Sequence, residues 1–175
     1  MDHFKAAPLS RLDIRNMANR LRKQLGLSPK KTVDVLRLLE MLFPAAYSDS
    51  GFRLQILPPG EMGELHGLTD PVNQVIYIRE DVYDNAAQGK GRDRMTIAHE
   101  LAHFLLHRGV RLGLARRAEG ESIPRYMDPE WQATVFAAEF LMPADEIRHM
   151  SVLDIASTYG VSRQAAAFQL SMVSK

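Results

Sequence analysis

Between Met95 and Leu106 the sequence places two histidines and a glutamate inside an otherwise apolar run, Met-Thr-Ile-Ala-His-Glu-Leu-Ala-His-Phe-Leu-Leu. Apolar residues at 95, 97, 98, 101, 102 and 105 predict a buried helix. A polar group buried without a partner costs about 2–7 kcal/mol, so His99, Glu100 and His103 must find partners. Positions four apart lie one turn from each other on one helix face. His99 and His103 can therefore reach one ion at the Zn–N distance of about 2.0–2.1 Å. Glu100 stands beside them, where a carboxylate can take a proton from metal-activated water. The H-E-x-x-H spacing thus predicts a metal site with hydrolytic chemistry. A pair of ordinary core histidines would leave Glu100 unexplained.

The chain contains no cysteine. It has no disulfide, and a metal must be held by His, Asp or Glu. A catalytic zinc takes three protein ligands and keeps one position open. His107 is eight residues from His99, about 12 Å along a helix axis. It cannot close on the same ion, and it reads as a structural or helix-terminal group. The pattern H-E-x-x-H-x-x-G-x-x-H fails, because Leu106 and Gly109 stand where Gly and His are required. The third ligand is then a downstream carboxylate: Glu119, Glu121, Asp128, Glu130 or Glu139. Rigid elements hold ligands best. Glu130 falls in the first turn of a predicted helix and is the preferred candidate, with Asp128 and Glu139 as alternatives. Glu139 lies nine positions further on, about half a turn around the helix, and should face away.

With 175 residues, 46% hydrophobic and 25% charged, the chain suits one globular domain. No apolar run approaches the ~20 residues that span a bilayer. Met1–Ser10 has no apolar signal segment, which predicts a cytoplasmic protein. A helical part is expected over about 11–43, a sheet and catalytic core over about 50–150, and a helix pair over about 151–173. Within the first part, helices are predicted over about 13–25 and from Pro29 or Thr32 to Leu42, stopped by Pro44. Phe52–Leu57 alternates as a strand, and Leu65–Thr69 with Val75–Ile78 reads as a hairpin turning at Asp70–Asn73. Asp93 is the expected N-cap of the metal helix, which ends at Gly109. Residues 109–127 read as loop. Asp128-Pro129 opens the next helix, which stops before Pro143. The fold class is α+β: a single domain with the active-site helix on a small, mainly antiparallel sheet, and helical ends.

Residues 99–107, His-Glu-Leu-Ala-His-Phe-Leu-Leu-His, are followed by Glu130-Trp131-Gln132-Ala133-Thr134-Val135-Phe136-Ala137-Ala138-Glu139-Phe140-Leu141-Met142-Pro143. Together they resemble the ImmA/IrrE metallopeptidase family over about residues 75–172. The tail with Gly160, Val161, Ser162 and Leu170 looks like that family's ending. The resemblance implies a zincin-like fold and one Zn2+ on His99, His103 and Glu130, with Glu100 catalytic. Manganese or iron would suit the same donors. It further implies proteolysis of a DNA-binding repressor of a mobile element, prophage or stress response. Family members often carry Asn or Asp where this chain has Thr134, a position that can orient a zinc histidine.

An extended substrate commonly adds to a sheet edge, and Gln74–Ile78 is the candidate neighbourhood. Tyr126, Tyr77 and His66 are candidates for stabilising the oxyanion. Met1–Arg37 carries nine Lys and Arg against three Asp. That stretch is expected to be a solvated face, with nucleic acid as the sharper alternative. Residues 155–170 have helix-turn-helix spacing, but the second helix has few base-reading groups. It is expected to be a structural pair, and direct DNA binding is not expected. The alternative function is a zinc-retaining module that contacts a repressor, antitoxin or DNA without cutting.

Overall fold

The computed structural model describes residues 5–27, 32–108 and 123–173. Glu119, Glu121 and the expected helix stop at Gly109 lie outside the described residues. The elements are α1 (Arg11–Gln24), α2 (Val35–Arg37), a π-helical turn (Leu38–Leu42), α3 (Phe43–Ala46), β1 (Arg53–Leu57) and α4 (Pro59–Met62). Then come β2 (Gly67–Asp70), β3 (Val75–Arg79), α5 (Glu80–Ala87), α6 (Gly91–His107) and α7 (Pro129–Leu141). Last are α8 (Ala144–Ile147), α9 (Val152–Tyr159) and α10 (Arg163–Val173). The class is α+β, as the pattern of periods predicts. None of the described helices is long and apolar enough to cross a membrane.

Local chemistry explains most boundaries. Ser10 caps α1 in a capping box with Asp13. Asp128 accepts from the Glu130 N–H and Pro129 opens α7. Gly160 ends α9 in the left-handed conformation. Asp93 is not the cap of α6. The helix starts earlier, with Lys90 at the cap, and Asp93 sits in the first turn, where the helix dipole favours a carboxylate. The reason for the early start is packing. A Cβ on Gly91 would lie 2.3 Å from the Val161 carbonyl carbon, so only glycine lets α6 begin against the α9–α10 turn.

The second helix does not stop at Pro44 either. The Phe43 N–H reaches back to the Leu38 oxygen in a π turn, and helix continues to Ala46. Proline lacks an N–H and clashes with the carbonyl four residues before it. A widened turn directly upstream accommodates both defects.

The sheet has order β1-β3-β2. β2 and β3 form the expected antiparallel hairpin, with the Asp70 carboxylate holding the turn through the Val72 and Asn73 N–H groups. β1 pairs with β3 in parallel, Arg53 opposite Val75 and Leu57 opposite Arg79. The expectation of a mainly antiparallel sheet is therefore corrected to a mixed one. The chain leaves β1 through α4, and β3 then inserts between β1 and β2. This also moves the edge. β3, with Gln74–Ile78, is the central strand and both its sides are paired, so the candidate edge for substrate is β2.

Two layers place the functional helices. α6 packs on α7, on α5 and on the β2 side of the sheet, and α7 packs between α6 and α1. Phe104, next in sequence to His103, is fully buried among Phe43, Tyr47 and Phe52, with ring centroids 4.9–5.9 Å away. Burying one Phe contributes about 1.5–3 kcal/mol, and each well-oriented ring pair about 0.5–1.5 kcal/mol. This cluster fixes the axial position of α6. α7 is apolar on nearly every side, as a helix enclosed between two others must be.

The basic N-terminal stretch is not simply a solvated face. Arg11 and Arg15 turn inward to Glu139 at 3.1–3.2 Å, and the Arg22 guanidinium donates to the Phe140 carbonyl at 2.6 Å. Glu139 thus faces away from the metal helix, as its half-turn offset from Glu130 predicts. The α9–α10 pair packs on the same body. Ala166 is buried, and the Gln169 amide donates to the Met142 carbonyl.

Candidate metal centre

The helical spacing of four brings the His99 and His103 rings together, with Nε2 atoms 3.0 Å apart. α7 crosses here and delivers Glu130 from its first turn. Glu130 Oε2 is 3.2 Å from His99 Nε2, and Oε1 is 3.3 Å from His103 Nε2. His99, His103 and Glu130 form a group of donors able to hold one metal ion. Their separations suit one. Donors at about 2.0–2.1 Å from a tetrahedral ion stand about 3.3 Å apart. The set is neutral imidazole and carboxylate, the usual company of zinc when cysteine is absent. The two histidines pull the Glu130 carboxyl far below the ordinary carboxylate range, His103 most. Its anionic, ligand-ready form is therefore the stable one.

Of the other carboxylates, Asp128 caps α7 and Glu139 is held by arginines on the far face, so neither joins the group. The Thr134 hydroxyl lies 3.4 Å from His99 Nδ1. That is the long end of a hydrogen bond. The Thr134 side chain points at the ring but barely reaches it.

Glu100 is buried between α6 and β2. Desolvation pushes its carboxyl up, opposed by the nearby His99 and by the Thr69 hydroxyl. Thr69 Oγ1 donates to Glu100 Oε2 at 2.7 Å, and the Glu100 carbonyl is also within reach at 3.0 Å. Gly67 is the second contact. A Cβ there would come within 2.6 Å of Glu100 Cγ and 3.0 Å of Oε1. Sequence reasoning missed both residues. The only hint was a glycine inside the predicted strand Leu65–Thr69, which often marks a close approach. Gly67→Ala is expected to displace the Glu100 carboxylate and, in the hydrolytic chemistry that the H-E-x-x-H spacing predicts, to cut kcat/KM by about 10²-fold, the scale of a 1 Å misplacement. Unchanged kcat/KM in a peptide-cleavage assay would contradict that.

A cleft of about 560 Å³ opens beside His99 and Glu100. Leu65, His66, Met95, Ala165 and Phe168 are among its walls. β2 and α6 supply one side, and α10 the other. Of the three candidates for the oxyanion, His66 lines this cleft. Tyr77 lies on the central strand, and Tyr126 on the turn that enters α7.

A family model, Peptidase_M78, described as the IrrE N-terminal-like domain, matches residues 48–171. The match takes in the sheet, both site helices and the α9–α10 pair, and begins upstream of the region whose motifs carry the resemblance. No curated protein matches the chain.

Proposed function

Because the chain belongs to the Peptidase_M78, or IrrE N-terminal-like, family of metallopeptidases, we propose that it is a zinc-dependent endopeptidase acting on a regulatory protein. The observation that carries this reading is the cluster of three donor atoms from His99, His103 and Glu130, 3.0–3.3 Å apart, with the Glu100 carboxylate buried alongside. In this reading those three residues hold one Zn2+. When bound, the ion lowers the pKa of water to about 7 and polarises a carbonyl.

The chain's own residues do the rest. Thr69 holds Glu100 Oε2, which leaves Oε1 to accept the proton of the attacking water and pass it to the departing amine. Burial raises the Glu100 pKa above the ordinary carboxylate range, the direction that suits a group that must both take and give a proton. The free edge of β2 offers main-chain groups to an extended substrate segment. Leu65, Met95, Ala165 and Phe168 offer an apolar wall for one of its side chains, and His66, which lines the same cleft, is the candidate to stabilise the oxyanion.

The proposed substrate is a DNA-binding repressor of a mobile element, prophage or stress response. A protein fits better than DNA itself. Arg11, Arg15 and Arg22 make internal bonds, and α10 turns Phe168 toward the cleft instead of presenting a basic face.

Metal content measured by mass spectrometry tests the reading. About one zinc per chain is expected in wild type prepared without chelators, and little in His103→Ala. A wild-type sample with no stoichiometric divalent metal would overturn it.

A further inference from the structure

One buried titratable group has no part in the chemistry above. His107 is 3% exposed, with Nδ1 3.2 Å from His103 Nδ1 and Nε2 3.0 Å from Gln132 Oε1. Gln132 is fully buried, and its amide nitrogen donates to the carbonyls of Ala7 at 2.7 Å and Tyr126 at 2.8 Å. These bonds settle where each proton sits. A carbonyl oxygen can only accept, so two carbonyls fix the nitrogen end of the amide and turn its oxygen toward His107. That oxygen also only accepts, so His107 Nε2 must carry a proton. A neutral imidazole has one N–H, and a second proton would leave a buried charge on a ring that is 3% exposed and whose two hydrogen-bond partners include no carboxylate. His107 Nδ1 is then an acceptor, and the proton between the rings belongs to His103 Nδ1.

We propose that Gln132 and His107 are positioning residues that fix the tautomer of His103, leaving its Nε2 lone pair bare and aimed at the metal position. Which ring nitrogen is free to bind metal is set by the bond the other one makes. The relay runs from two backbone carbonyls through an amide and a ring to the ligand atom. His107 is thus an orienting partner for His103, a part that metal-binding histidines commonly assign to a carboxylate or a backbone carbonyl. The importance of His103 as a ligand rests on the metallopeptidase reading; the direction of the relay does not.

Two measurements test it. In the zinc-free full chain at neutral pH, two-bond ¹H–¹⁵N correlation spectra should show a proton on His103 Nδ1, and His107 protonated on Nε2 with Nδ1 bare. Finding His103 Nδ1 without a proton would overturn the proposal without any substitution being made. Zinc titration against a competing chelator supplies the second measurement. His107→Leu should lose about 10–100-fold in zinc affinity, the scale for removing a ligand's orienting partner. His107→Asn, whose Oδ1 stands where Nδ1 stood, should stay within a few-fold of wild type. A purely space-filling His107 would give the reverse order, since Leu fills an apolar volume better than Asn, and that order would sink the relay. A wild-type chain that takes up no zinc would instead remove the metallopeptidase reading, and the tautomer spectrum would still decide the relay.

Discussion

Glu100→Gln is expected to abolish measurable peptide cleavage while leaving about one zinc bound per chain. A general acid–base group contributes about 10²–10⁴-fold to rate. In the proposed reaction one carboxylate serves as base for the attack and as acid for the departing amine, so the upper part of that range applies. Gln matches Glu in shape and can keep a bond to the Thr69 hydroxyl, which donates to Glu100 Oε2 at 2.7 Å. It can also sit against Gly67 without a new clash. Fold and metal site should therefore survive, because the donors belong to His99, His103 and Glu130. The assay is cleavage of the proposed regulatory substrate under single-turnover conditions, run beside zinc analysis of the same samples. Loss of both zinc and activity would mean that Gln disturbs the site itself, and Glu100→Asp would then be needed to read the base role. Full activity in the variant would remove Glu100 from the chemistry and favour a zinc-retaining contact module.

The part of this site that could be read from the sequence is the part written at helical spacing. His99 and His103 are one turn apart, Glu130 follows an Asp-Pro helix start, and Gly160 punctuates the last two helices. Local rules of period and capping reach that far. What they did not reach depends on elements that meet only in the folded chain. The parallel pairing of β1 with β3 comes from β3 inserting beside a strand almost twenty residues upstream, and no alternation pattern encodes that. Proline at position 44 signalled a helix end, but tertiary packing carried the helix through it by way of a π turn. Gly67 and Thr69 looked like ordinary hairpin residues, because their role appears only where β2 lies against α6. His107 stood in plain view at one more turn along the same helix face. Its partner Gln132 comes from α7, so the sequence supported only the reading of a structural group. The Arg11–Arg15–Glu139 contact had a fainter signal: a glutamate within an apolar helix needs counter-charges, and two arginines four apart share one face of α1.

Glu139→Ala should lower stability by about 3 kcal/mol, the lower end of the 3–5 kcal/mol seen when one partner of a buried ion pair is removed. Glu139 has 0% side-chain exposure, while Arg11 and Arg15 retain 18% and 19%. The arginines can therefore turn partly back to water, which keeps the cost from the top of the range. Arg11 also donates to Gln169 at 2.8 Å, so the network ties α1 to α7 and α10 together. For a chain of this size 1 kcal/mol moves Tm by about 2–4 °C, which predicts a fall of roughly 6–12 °C. Replacing all three residues by apolar ones of similar volume should recover most of the loss, because the desolvation of three charged groups disappears with them. Zinc affinity of the folded protein should be unchanged, since Glu139 faces α1 while Glu130 faces α6 on the opposite side of the same helix. Thermal melts of the single and triple variants, with zinc titrations at 20 °C, check each part. A shift of less than 2 °C for Glu139→Ala would mean that the arginines hydrate as well in the open as they bind inside, and that α1 is held by its apolar contacts alone.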